Sequence, residues 1–181
     1  MVTREARTLS RDVEVAAIPY GDRITLTAGT NLFITQALGG SYTAMTDHGY
    51  LVRLEGKDAD AIGEQPIAPV TAEDAAGRST RELAWEQLKT CFDPEIPVNI
   101  VDLGLVYKCE TEPVEGGGDK VKVVFTLTAP GCGMGDFLRQ DVQQKLLALP
   151  GVKEADVQVV LDPPWDQSMM SDAARLQLGL M

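Results

Sequence analysis

Residues 120–150, "KVKVVFTLTAPGCGMGDFLRQDVQQKLLALP", change their period halfway along. Up to Leu127 the apolar residues alternate, with Val121, Val123, Phe125 and Leu127 on one face and Lys122 and Thr126 on the other. That pattern predicts a strand with one covered side. From Met134 the spacing lengthens: Met134, Leu138, Val142, Leu146 and Leu149 recur at helical intervals until Pro150-Gly151 ends the run. Between strand and helix stands Cys132, with Gly131 and Gly133 beside it. A buried structural cysteine has branched neighbours to pack against, and these glycines offer none. They let the backbone bend closely around a sulfur and leave room for a large ligand or a second thiol. The unpaired N–H groups and partial positive charge of a helix start favour a thiolate placed just before it.

The neighbouring segments complete a layer. Downstream, "VKEADVQVVLD" reads as a final alternating strand. Upstream, "LVYKCET" forms a hairpin with the strand at 120–128 around "PVEGGGD". Before it, "STRELAWEQLKTCF" opens with a capping box, Ser79 and Glu82, and carries Leu83, Ala84, Leu88, Cys91 and Phe92 as a helical stripe. Pro94 and Pro97 are read as the stop of that helix. The order helix–strand–strand–helix–strand predicts an α+β fold, a two-layer α/β sandwich with helices on one face of a small sheet. The tail, "PPWDQSMMSDAARLQLGLM", reads as a loop and then a short helix begun by Ser171.

The first sixty residues have a different texture. "DVEVAAI", "RITLTAG" (with Ile24 and Leu26 on one face), "NLFITQAL", "SYTAMTD" and "GYLVRLE" are short runs rich in β-formers, divided by Gly, Asp and Asn. They predict a small all-β N-terminal module over residues 1–62. Residues 63–78, proline-bearing and without period, are read as a linker, and residues 79–181 as the α+β domain.

Composition narrows the function classes. The 181 residues are 44% hydrophobic and 24% charged, as in an ordinary globular protein. The net charge of −11 argues against nucleic acid and against anionic membrane surfaces, both of which require clustered Lys and Arg. No stretch approaches the roughly 20 apolar residues that cross a bilayer, and "MVTREARTLSRDVE" lacks the apolar core of a secretory signal. The expectation is a cytoplasmic protein. Three cysteines without a C-x-x-C pair do not make a disulfide framework in a reducing compartment.

Cys91 and Cys109 fall on apolar faces and read as small core hydrophobes. Asp93 in "DPEIP" has two readings: a cap at a helix stop, or a carboxylate set near Cys132 as hydrogen-bond partner or labile metal ligand. Asp102 reads as a turn residue, and His48, beside Gly49, as a surface loop residue. Trp165, between Pro164 and Asp166, either covers a site or anchors the tail.

The stretch 93–107, "DPEIPVNIVDLGLVY", resembles the signature of the small iron–sulfur assembly domain shared by SufT-type factors, eukaryotic cytosolic iron–sulfur targeting factors and PaaD-type proteins. The "DPEIP" run after a helix, the "LGLVY" strand, and Leu127-Thr128 leading to Cys132 occur in the order of that family. Within it the match narrows to the SufT type, through "PGCGMGDFL", the "DPPWDQSMMSDAARLQLG" tail and the N-terminal piece from Leu32 to Gly63. Gly133 departs from the broader family, where many members have proline after the cysteine. The resemblance implies an accessory factor in iron–sulfur cluster maturation, not an enzyme, with Cys132 as functional thiol and Asp93, Glu95 and Thr128 at matching motif positions.

It further implies iron–sulfur assembly proteins and client apoproteins as partners, and no catalytic residue. No stable cofactor is expected, only a transient iron–sulfur cluster held through Cys132. Cysteines at 91, 109 and 132 do not form the spaced set of a four-thiolate site, so a bound cluster would be bridged in a homodimer or shared with a client or with small thiols. Two other functions stand open: an adaptor that never touches iron, and a thiol enzyme, which would need His48 to reach Cys132 as its base.

Overall fold

A computed structural model describes residues 5–93, 96–129 and 134–180, and of Met134 the backbone alone. The chain divides into two units, Met1–Pro69 and Val70–Met181. In the first, β1 (Glu5–Thr8), β2 (Val13–Ala17), β3 (Arg23–Leu26), β4 (Asn31–Leu38), β5 (Ser41–Thr46) and β6 (Leu51–Glu55) form one antiparallel sheet in the order β1-β4-β5-β6-β2-β3. Alternation decides its faces. Val13 and Val15 are buried around an exposed Glu14, and Leu32 and Ile34 around an exposed Phe33. With Ala44, Val52 and Leu54 they pack against Leu9 and against Ala61 and Ile62 of the 3-10 segment Gly56–Ile62. The β4–β5 link is two residues long, Gly39 and Gly40, with φ of 66° and 76°. Positive φ at both positions is what a type I′ hairpin turn demands, and glycine supplies it without steric cost. Ile24 and Leu26 part company in burial: Leu26 packs against the core, whereas Ile24 is exposed, because edge strand β3 pairs with β2 alone.

The second unit contains α1 (Thr80–Leu88), β7 (Val106–Pro113), β8 (Asp119–Phe125), α2 (Met134–Leu147), β9 (Val152–Val159) and α3 (Asp172–Gln177). β7 runs antiparallel and β9 parallel to the central β8, so α2 is the crossover of a β–α–β unit. The fold class is the expected α+β one, two-layered in this unit. Leu83, Ala84 and Leu88 of α1 and Leu138, Val142 and Leu146 of α2 share one core with Val121, Val123, Phe125 and Val157 of the sheet. The alternate residues of the strands carry charge, with Lys122 3.2 Å from Glu112 and Lys120 3.7 Å from Glu154. The capping box forms as read: Glu82 N–H donates to Ser79 Oγ at 3.2 Å and Ser79 N–H to Glu82 Oε2 at 2.9 Å.

Two boundaries move. α1 ends at Leu88, well before the prolines, so Cys91 and Phe92 belong to the turn after it rather than to its stripe. Cys91 is still wholly buried: Ile100 N–H donates to its carbonyl at 2.9 Å and brings Ile100 back beside it. β8 ends at Phe125, where Thr126 N–H turns to the Leu105 carbonyl at 2.9 Å. Residues 63–78 carry structure of their own. Ile67 N–H donates to Gly56 O at 2.9 Å in the first unit, while Val70 and Ala75 pack against the core of the second. Among the described residues no helix is long and apolar enough to cross a membrane.

Candidate functional site

The crossover from β8 to α2 departs at the carboxyl end of the sheet. Three chain segments are fixed there. Thr126, 1% exposed, is held by its bond to Leu105, and Val160 N–H donates to the Phe125 carbonyl at 2.9 Å. Leu127, half-buried, lies over the first turn of α2: a Cβ built on Gly135 would stand 2.9 Å from Leu127 Cδ1. Both described ends of the crossover link are therefore anchored. Thr128 is half-buried on that link, while Gly131, Cys132 and Gly133 lie outside the described residues, as does Glu95.

Asp93 is 7% exposed and follows the Phe92–Asn99 bridge that closes the loop after α1. Its carbonyl accepts from Ile96 N–H at 3.2 Å. The loop is pinned into the core by Val98, Ile100, Leu103 and Leu105, each at most 2% exposed. Asn99 organises its second half. Asn99 Oδ1 accepts from the backbone of Val101 (3.1 Å) and Asp102 (2.9 Å), and Asn99 Nδ2 donates to Asp102 Oδ2 at 2.7 Å.

The tail after β9 binds this loop along its length. Trp165 Nε1 donates to the Leu103 carbonyl at 2.6 Å, Tyr107 Oη to the Pro163 carbonyl at 2.7 Å, and Gln177 Nε2 to the Pro97 carbonyl at 2.7 Å. Ser171, the N-cap of α3, donates its N–H to Asp102 O at 2.8 Å and its hydroxyl to Asp102 Oδ1 at 3.2 Å. Gly104 has φ of 77°, and a Cβ there would meet the Met169 carbonyl oxygen at 2.2 Å. The two backbones touch where only glycine fits. Asp102 is thus a turn residue that also fastens the tail, and Trp165 anchors the tail to Leu103. Gly104, Tyr107, Asn99 and Ser171 are functional in this sense and were not singled out as a group by sequence. The signal available was a glycine inside an otherwise apolar "DLGLVY".

The other thiols are enclosed. Cys91 is 0% and Cys109 3% exposed, and neither is bridged in a disulfide. Burial pushes the Cys109 thiol up to about 11, against a smaller opposing pull from the charge of Arg81. Cys109 is therefore no ready thiolate at neutral pH. Among the described residues no group of three or more His, Cys, Asp or Glu side chains is arranged to hold a metal ion. His48 is an exposed residue of the β5–β6 turn in the first unit, 3.7 Å from Asp47.

Residues 81–159 match the family described as iron–sulfur cluster assembly protein, a stretch that lies in the second unit. The Fe-S protein maturation auxiliary factor of Porphyromonas gingivalis is 41% identical over 102 residues, 56% of this chain and 93% of that protein. The Fe-S protein maturation auxiliary factor SufT of Staphylococcus aureus is 40% identical over 89 residues, 49% of this chain and 97% of that protein. Among solved structures, a domain of unknown function, DUF59, from Bacillus anthracis is 34% identical with a TM-score of 0.49, covering 56% of this chain and 93% of that one. Close to half of this chain has no counterpart in either relative. With 41% identity across nearly the whole of such a relative, the chain belongs, through its second unit, to the iron–sulfur cluster assembly protein family.

Proposed function

We propose that the protein is an accessory factor in iron–sulfur cluster assembly that holds a cluster transiently through the Cys132 thiolate and passes it to client apoproteins. The cluster is cargo, not a resident cofactor, and the factor works in the cytoplasm beside the assembly machinery. The enclosure of Cys91 and Cys109 in the core carries this reading, because thiolate ligation then falls to Cys132. The names of the relatives, both maturation auxiliary factors, support the accessory role. Asp93, Glu95 and Thr128 are the supporting groups, with the carboxylates as hydrogen-bond partners or labile ligands, and Gly131 and Gly133 leave space around the sulfur. One thiol per chain leaves a four-thiolate site unfilled, so the cluster is bridged between two copies, which supply two thiolates, and its remaining positions are taken by the carboxylates, a client or small thiols.

A second reading, an adaptor that docks clients without touching iron, draws on the first unit, which lies outside the matched residues. One experiment separates the two. Wild type and Cys132→Ala are reconstituted anaerobically with ferrous iron and sulfide, and bound iron, visible absorbance and solution mass are measured. The expected result is iron and colour in wild type alone, at the mass of two chains. Iron held by single chains would remove the bridged arrangement. No iron in either protein would leave the adaptor.

A further inference from the structure

The tail is fastened by five hydrogen bonds and a backbone contact at Gly104, yet it exposes large apolar side chains. Leu161 is 54%, Met169 36%, Leu176 71% and Leu180 49% exposed. The segments that carry the first three are joined by hydrogen bonds. Tyr107 Oη bonds the Pro163 carbonyl and lies 3.8 Å from Met169 Sδ, and Arg175 Nη2 donates to the Ser168 carbonyl at 2.9 Å, bringing α3 beside Met169. A segment this short would ordinarily turn such residues inward, and an exposed apolar surface held rigid is a mark of an interaction site.

The charges on the same surface are predominantly negative. Asp162, Asp166 and Asp172 are exposed, and the tail's single cation, Arg175, is engaged with Ser168. The Ser168 hydroxyl, then its N–H, hydrogen-bond to Asp166 and hold that carboxyl below the usual carboxylate range, so it stays ionised at neutral pH. Leucines interleaved with carboxylates complement a segment in which apolar residues alternate with Lys or Arg. The sheet order requires the tail to pass from β9 on one edge to the start of β7 on the other, across the carboxyl end of β8. A partner seated on the tail would lie at the end of the sheet from which the crossover departs.

We propose that the surface of residues 161–180 is a docking site for a basic, amphipathic segment of a partner protein. This goes beyond the cluster-carrying reading and needs no iron to be true. The full chain, labelled with 15N, is titrated with a synthetic Lys/Leu amphipathic peptide and with a Glu/Leu peptide of the same pattern. The Lys/Leu peptide should shift resonances on residues 161–180, and the Glu/Leu peptide should not. The exposed double variant Leu161→Ser, Leu176→Ser should weaken binding at least ~10-fold with unchanged melting. Asp162→Asn with Asp172→Asn should weaken it and flatten its salt dependence. Shifts spread over other acidic surfaces, or full binding by the leucine variant, would reduce the effect to general attraction of an acidic chain and overturn the proposal. Equal binding of the Glu/Leu peptide would overturn it as well.

Discussion

The two sheets of this molecule solve the same problem by opposite connections. Each covers one face with apolar side chains and leaves charge or polarity on the other. The first unit does so with antiparallel neighbours, whose β4–β5 link needs only Gly39 and Gly40. The second joins parallel strands β8 and β9, so its chain must leave the sheet at the end of β8, cross as α2 and return. A hairpin turn satisfies its own backbone groups and offers little to a ligand. A strand-to-helix link at the carboxyl end of a parallel strand ends on free helix N–H groups, and open α/β sheets place ligands there. Cys132 occupies that link in the sequence, and the family match falls on the unit that contains it.

If the two cores are separate, damage to one should spare the other. Phe125→Ala removes the largest fully buried side chain of the central strand β8 and should cost the second unit about 3–5 kcal/mol. Both tryptophans, Trp85 and Trp165, belong to that unit, so their fluorescence reads its melting alone. Amide exchange in β4–β6 should remain at wild-type protection. Loss of protection there would break the comparison and make the two cores one cooperative structure. Gly104→Ala comes next, at about 2–4 kcal/mol, from a strained positive φ and a clash with the Met169 carbonyl. Its effect should concentrate on the tail, with Trp165 emission moving to the red before the rest of the unit melts. A uniform melt of the whole unit would show that the tail is no separable element.

Those two sites also mark where the sequence is legible. The period change in residues 120–150 foretells β8 and α2, because burial on one face leaves a spacing that survives in the primary structure. Ser79 and Glu82 foretell the start of α1, since a capping box is local chemistry. The end of α1 is not local: Leu88, rather than a proline, closes it, and the chain beyond is tied back where Ile100 N–H meets the Cys91 carbonyl. The clasp between Gly104 and Met169 joins residues 65 positions apart, and no periodicity encodes such a meeting. Of the candidate site, Asp93 and Thr128 are singled out as a pair only through the family resemblance. Trp165 and Asp102 needed coordinates to show that they fasten the tail.

The smallest effect concerns Cys109, on β7, against the ordinary thiol it would be in the unfolded chain. Burial raises it from an ordinary 9.0 to about 11, with Glu110 adding to the rise and Arg81 opposing it more strongly than Glu110 adds. Below pH 9 the thiol is neutral in both states, and its contribution to stability is fully present. Between pH 9 and 11 the unfolded chain ionises while the folded one does not, so stability drains through that window and is lost above it. Cys109→Val removes the proton and adds about one methyl group to the core, at a cost of about 1–3 kcal/mol near neutrality. Urea midpoints followed by tryptophan emission at pH 8 and pH 10.5 should fall further in wild type than in the variant. Equal falls would mean that water reaches the sulfur, and that the enclosed thiols of this unit are less distinct from Cys132 than their burial implies.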